Sequence, residues 1–549
     1  APQGAPLGNP GPGWGNEARR MSKYLWWQKG TIYQIYPRSF MDADGNGVGD
    51  LRGIMARLDH LQQLGVDAIW LSPIYPSPMN DFGYDVADYT AIHPMFGTMA
   101  DFDRLIEAAH ARGIRVLLDL VANHTSDEHP WFKESRSSRA SLKRDWYVWR
   151  EPAPDGGPPN NWLSEFGGSA WEWDVKTRQY YLHTFHRTQP DLNWRTPDVQ
   201  EAMFDVMRFW FDRGVAGFRV DVMWHLIKDD QFRDNPLNPD YDGSHPYRRL
   251  IPVYQEDRPE VVDVVAMMRA VADEYDERVL LGEIYLPLER LVAYYGRDGR
   301  GAHLPSNFQL VTTPWNARQL ADVIDAYERA LPRGAWPNWV LSNHDVPRIA
   351  SRIGPEQARV AAMLLLTLRG TPNLYYGDEI GMTDVAIPEE CMQDPKARSM
   401  PGFGLGRDGS RTPMQWTAGP HAGFTSGEPW LPLAPDYARV NVEVQSGVDG
   451  SMLALHQRLL ALRRSEPALC TGSYAPVPAT GDVLAYLREA EGRRFLVALN
   501  LGGGRGTLTA PALGLVGVVV ESTHPRRRRR AVDGTVDLEP NEGVVILLA

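Results

Sequence analysis

The stretch Arg115-Val-Leu-Leu-Asp119-Leu-Val-Ala-Asn123-His124 decides the fold. A short apolar run ends in three polar side chains able to do chemistry, and a segment of helical period (99–112) stands just before it. The same alternation recurs along the chain. Apolar or β-branched runs at 32–36, 68–71, 115–121, 217–220, 279–281, 308–311, 339–341 and 373–376 make eight candidate strands. Helix-period segments such as 51–64 and 199–213 lie between them. Eight strands alternating with helices predict an α/β fold, a closed (β/α)8 TIM barrel.

Three segments break the rhythm. Residues 125–192 are rich in Trp, Gly and Pro and lack a helix period, which predicts a small domain inserted after strand 3, over 125–189. Further excursions, 230–258 and 381–439, follow the fourth and eighth strands. Beyond about Leu469 the pattern becomes short strands between turns (482–487, 494–500, 516–521, 543–548), predicting a C-terminal all-β sandwich domain over 469–549. The barrel then occupies 24–124 and 190–468. Residues 1–23 read as a flexible N-terminal extension or tag, with Met21 as a more natural start and no apolar core of a signal peptide.

At ~100–200 residues per domain, 549 residues suggest about three or four such units. Apolar residues at 43% and charged residues at 23% exclude a disordered or collagen-like chain. The sequence has no apolar run long enough to span a membrane. A net charge of −12 argues against a nucleic-acid partner. The run Arg526–Arg530 reads as a solvated loop rather than an anion site. Two cysteines, Cys391 and Cys470, rule out a disulfide framework and fit free, buried thiols in a reducing, cytoplasmic location. The 18 Trp and 22 Tyr are expected mainly in packing, with a few left as platforms for sugar rings.

Catalytic groups of a parallel barrel sit at the C-terminal ends of its strands. Four candidate strands end in acids: Asp119, then Arg219-Val-Asp221, Gly282-Glu283, and Asn343-His344-Asp345. Clustered carboxylates repel, so they call for a functional reason. One carboxylate attacking an anomeric carbon while a protonated second one serves the leaving oxygen is retaining glycoside hydrolysis. Arg219 shares a strand face with Asp221 and would hold it ionised.

These motifs, in this order, resemble the conserved regions of the α-amylase family, glycoside hydrolase family 13, over residues 24–549. Asp81-Phe-Gly-Tyr84-Asp85, Gln189-Pro-Asp-Leu-Asn193 and Arg411-Thr-Pro-Met-Gln-Trp416 resemble its α-glucosidase and oligo-1,6-glucosidase group. The resemblance implies Asp221 as nucleophile, Glu283 as acid/base and Asp345 as the acid that grips and distorts the sugar. It implies that His124 and His344 bind the same sugar, that Tyr84 stacks beneath it, and that Phe166 and Phe185 form an apolar wall. It also implies that Asp81 pairs with Arg411 to close the pocket, which makes an exo-acting enzyme on short α-glucosides such as maltose, isomaltose and sucrose.

Linkage is read from the residue after the nucleophile. The resemblance implies that a Val here, Val222, accompanies α-1,6 cleavage, whereas His225 lies where endo-amylases also carry a His, so mixed specificity with α-1,4 slightly ahead of α-1,6, and with transglucosylation, is expected. An isomerase such as a trehalose synthase or isomaltulose synthase would use the same three acids.

The loop Asp42-Ala-Asp44-Gly-Asn46-Gly-Val48-Gly-Asp50 alternates oxygen ligands with small residues, like the start of an EF-hand, but the twelfth position is Gly53 rather than Glu. The resemblance implies instead a structural Ca²⁺ or Mg²⁺ held by Asp42, Asp44, Asn46, Asp50 and the Val48 carbonyl. A monomer or weak homodimer is expected.

Overall fold

A computed structural model describes residues 24–549 of the protein, so the extension expected at 1–23 lies outside the described residues. Eight parallel strands close into a barrel in chain order: Ile32–Ile35, Ala68–Leu71, Arg115–Leu120, Gly217–Val220, Val279–Ile284, Leu304–Asn307, Asn338–Val340 and Thr371–Tyr375. The register stands Asp119 beside Arg219 and Glu283 beside Ser306, so the polar strand ends gather at one rim.

Seven of the eight expected strands form within a few residues of their expected bounds; the sixth does not. Its place is taken by Leu304-Pro-Ser-Asn307, paired with the fifth strand from Leu281 to Ile284. The run at 308–311 instead enters a short helix, Gln309–Thr312, and Asn307 Oδ1 accepts the Gln309 N–H at 2.9 Å. Pairing with neighbours, rather than side-chain preference, makes this strand. The expected helix at 51–64 is two helices, Leu51–Ala56 and Leu58–Leu64, broken at Arg57.

The segment after the third strand holds a three-stranded antiparallel sheet, Trp149–Arg150, Gln179–Leu182 and Trp171–Asp174. Its own small core of Val148, Trp162, Ala170, Trp171 and Leu182 is completed by Phe232 and Tyr254 from the 230–258 excursion. Trp162 Nε1 donates to the Arg233 carbonyl at 2.8 Å, so that excursion is tied to the inserted unit as a wall.

At the C-terminal end eight strands form one continuous antiparallel sheet, and the two layers of the sandwich are its halves. Leu496 and Ala498 of one half share a core with Leu508, Val536 and Leu538 of the other. The opposite face, with Tyr486, Phe495, Val497 and Leu499, joins the barrel's own core around the helix Pro355–Thr367. Two fully buried arginines brace the junction. Arg463 donates to the Leu366, Leu368 and Leu469 carbonyls (3.0–3.2 Å), and Arg488 to those of Ser473 and Leu469 (both 3.0 Å).

Among the described residues no helix is long and apolar enough to cross a membrane. Both cysteines are free; Cys470 is buried, but Cys391 is only half-buried. Within the basic run, Arg527 pairs with Glu542 (3.1 Å) and Arg528 with Asp449, consistent with a loop between strands.

Candidate active site

Arg219, on the fourth barrel strand, organises the site. It is buried, and its Nη1 donates to Asp119 Oδ1 at 2.8 Å and to Asp221 Oδ1 at 2.6 Å, while Nη2 lies 2.7 Å from Glu283 Oε2. One guanidinium therefore holds carboxylates from three strands. Glu283 Oε2 also accepts the Val222 N–H at 2.8 Å. Val222 achieves this at φ 37°, ψ 47°, a left-handed conformation that is costly for a β-branched residue. The strain sits on the turn that directly follows Asp221.

Burial is the main force on these acids. It raises both Asp221 and Glu283 against the pull of Arg219; repulsion from Glu283 and Asp119 adds to the rise of Asp221, and repulsion from Asp345 and Asp119 to that of Glu283. Glu283 is pushed up to about 7. Such a pair retains one proton near neutrality. For Asp345 burial is outweighed by the His344 imidazole, whose Nε2 lies 3.2 Å from Oδ2, and by the Arg407 and Arg411 guanidiniums, which hold it well below the usual carboxylate range. Its Oδ1 lies 3.0 Å from Arg411 Nη2 and 3.1 Å from Arg407 Nη1.

His344 is neutral, because burial pulls it far down. Gln34 Nε2 donates to its Nδ1 at 2.8 Å, which leaves the ring proton on Nε2, 2.7 Å from the Tyr84 hydroxyl. The Tyr84 hydroxyl donates to Asp119 Oδ2 at 3.0 Å, and the two rings are parallel at 5.3 Å. His124 donates from Nε2 to the Tyr84 carbonyl at 3.1 Å and accepts from Asn123 Nδ2 on Nδ1 at 3.1 Å. Burial lowers it to about 4.

These groups surround a cavity of about 410 Å³, a volume within the range of small-ligand sites. Asp81, Tyr84, His124, Phe166, Phe185, Asp221, Glu283, His344 and Asp345 all line it. Of the expected sugar-site residues, Arg219 and Arg411 stand behind the lining and act through the acids they hold.

The expected Asp81–Arg411 pair does not form. Asp81 Oδ1 instead meets Arg407 Nη2 at 2.9 Å. Arg411 is committed elsewhere, with Nε donating to the His344 carbonyl at 2.7 Å and Nη2 to Asp345. Arg407 and Arg411 begin and end one turn of Arg407-Asp-Gly-Ser-Arg411, and the buried member is the one turned to His344 and Asp345. Asp394 grips Arg407 from Nε (3.0 Å) and Nη2 (2.7 Å), which aims it. Sequence reasoning missed Arg407 and Asp394, and it left Asp119 without a role. Asp119's position next to the last residue of its strand was the available signal.

In the loop after the first strand, carboxylate oxygens of Asp42, Asp44 and Asp50 lie within 4.8 Å of one another. Asn46 belongs to the same turn, its Oδ1 accepting the Val48 N–H at 2.8 Å. Only glycine fits at 47: φ is +90°, and a Cβ would stand 1.9 Å from the Glu428 carbonyl oxygen. An all-oxygen set of converging carboxylates fits a hard divalent cation. The loop also braces the 381–439 excursion, because Asp42 N–H donates to the Phe424 carbonyl (3.0 Å) and Trp430 N–H to that of Gly47 (3.0 Å).

Comparison with known proteins agrees with this geometry. The model of the alpha amylase catalytic domain matches residues 34–472. A probable alpha-glucosidase of Rhizobium meliloti is 44% identical over 504 residues, covering 88% of this chain and 91% of that protein. An oligo-1,6-glucosidase of Heyndrickxia coagulans is 39% identical over 516 residues, covering 87% and 92%. Among solved structures, an alpha-glucosyl transfer enzyme superposes with a TM-score of 0.91 at 42% identity, covering 96% of this chain and 100% of that one. The trehalulose synthase of Pseudomonas mesoacidophila gives 0.89 at 34% identity, with the same coverage. A barrel of this topology, three strand-end acids around one arginine and these likenesses lead to one assignment: the chain is a glycoside hydrolase and belongs to the α-amylase family.

Proposed function

We propose that the protein is an exo-acting, retaining α-glucosidase that cleaves terminal α-1,4 and α-1,6 bonds of short oligosaccharides and also transfers glucose to sugar acceptors. The observation that carries this reading is the contact of Arg407 with both Asp81 and Asp345, which bars one end of the cavity. A barred end admits a terminal glucose and excludes the interior of a polymer. In the reaction, Asp221 attacks the anomeric carbon and Glu283 gives its proton to the departing glycosidic oxygen. Glu283 then takes a proton from water, whose oxygen displaces Asp221. His124, His344 and the ionised Asp345 hold the hydroxyls of the same ring. Proton NMR of fresh digests of maltose and isomaltose tests this. α-Glucose as the first product is expected; β-glucose, or full activity in Asp221→Asn, would overturn it.

A second reading rests on the likeness to the trehalulose synthase: the glucosyl unit is handed back to the departing sugar through another hydroxyl. Separate incubations with maltose and sucrose decide between them. Isomerised disaccharide as the main product would favour this reading.

We also propose that Asp42, Asp44, Asn46, Asp50 and the Val48 carbonyl hold a structural Ca²⁺ or Mg²⁺, supported by the three converging carboxylates. Its charge would offset their repulsion and stiffen the loop that braces the 381–439 excursion. A cytoplasmic location and a monomeric or weakly dimeric state are proposed on the sequence alone.

A further inference from the structure

The excursion 230–258 ends on a carboxylate without a role so far. Glu256 Oε2 accepts from Trp224 Nε1 at 3.2 Å and from the Tyr247 hydroxyl at 3.2 Å, and it lies 3.3 Å from His225 Nε2. The neighbouring Asp257 N–H donates to the Trp224 carbonyl at 2.8 Å. Trp224 and His225 follow Asp221 by three and four residues, and both line the cavity, whereas Glu256 does not. The His225 ring is buried, and neither of its nitrogens makes a well-directed hydrogen bond. Its place is set by the Glu256 carboxyl 3.3 Å away and by ring contacts with Trp224 (4.7 Å) and Phe185 (5.5 Å).

One oxygen thus gathers two cavity-lining side chains that follow the strained Val222 turn. Deeper in the cavity the glucose-holding groups, Asp345, His344, Tyr84 and His124, are locked by partners of their own. Trp224 and His225 depend on Glu256. We propose that Glu256 is a positioning residue that selects the leaving group: it sets Trp224 and His225 as the wall against which the departing or accepting sugar lies. Its substrate class is an uncharged sugar with hydroxyls and an apolar face, suited to an imidazole and an indole. The groups around Glu256 are Glu165, Asp257, Trp224, Tyr247 and His225, and burial raises it to about 8. The inference rests on the double-displacement reading above.

The test compares three donors of the same glucosyl unit: maltose, isomaltose and α-glucosyl fluoride, the last of which puts no sugar against this wall. In Glu256→Ala, kcat/KM for maltose is expected to fall at least tenfold more than for the fluoride, and the maltose-to-isomaltose ratio to shift at least fivefold. Glu256→Gln, which preserves volume, is expected to shift the ratios in the same direction by less, and it decides the matter if the alanine variant does not fold. Equal losses on all three donors, or unchanged ratios, would overturn the proposal. Release of β-glucose from the fluoride by the unaltered enzyme would instead overturn the double-displacement reading, whatever the variants do.

Discussion

Asp81, which follows the second barrel strand, and Arg407, which follows the eighth, meet at 2.9 Å and close the ring of loops around the cavity. Arg407→Ala would leave Asp81, Asp394 and part of Asp345 uncompensated. Breaking such a buried pair costs about 3–5 kcal/mol. Activity on maltose is expected to fall at least 100-fold, while activity on maltotetraose falls less because the barred end opens. Steady-state kinetics on both substrates measure this. An unchanged ratio would show that the pair is not the barrier.

Arg219 serves three carboxylates, so its loss should be felt in kcat rather than KM. A hydrogen bond to a charged group contributes about 1.5–3 kcal/mol. Arg219→Ala, losing more than one, is expected to lower kcat by at least 100-fold. Arg219→Lys should recover little, because an ammonium cannot span Asp221 and Glu283 as a planar fork does. Recovery to near wild-type rates with lysine would argue against this role.

Glu283 must be protonated to serve the leaving oxygen. Its proton is lost as pH rises through about 7, so kcat/KM should decline on the alkaline side from there. The sign for stability is the same. A carboxyl raised above its unfolded value stabilises the fold fully at pH below that value, and the contribution disappears as pH passes the raised value. For a donor that needs no acid help, such as α-glucosyl fluoride, this alkaline limb should be absent from the glucosylation step of Glu283→Gln. A pH profile of kcat/KM for the two proteins checks it.

Removal of the proposed cation should be visible in thermal unfolding. A ligand at a hundredfold excess over its Kd stabilises by about 2.7 kcal/mol, so chelation is expected to lower Tm by about 2–3 °C in a chain of this size. Asp42→Ala should lower Tm similarly and no longer respond to added Ca²⁺ or to chelator. A wild-type Tm insensitive to both would dismiss the site.

What was legible in the sequence follows from how local each signal is. The runs at 68–71 and 217–220 are strands to the residue, since branched apolar side chains and flanking turns mark them. The three acids were legible because each ends such a run. Leu304-Pro-Ser-Asn307 was not, because a proline and two polar residues carry no strand signal until the fifth strand lies beside them. Arg407 and Arg411 are alike in sequence. Only the burial of Arg411 against His344, and the hold of Asp394 on Arg407, tell them apart.

The eight-stranded C-terminal sheet shares its inner face with the helix Pro355–Thr367, and Arg463 and Arg488 are spent on carbonyls along that seam. This makes the terminal unit a structural lid on the barrel rather than a cargo module hung from it. A chain cut at the boundary would uncover Met363, which packs at Gly543, and Thr367, whose hydroxyl meets that of Tyr486. Engineers seeking a smaller catalyst should therefore shorten the excursions and leave the C-terminus whole.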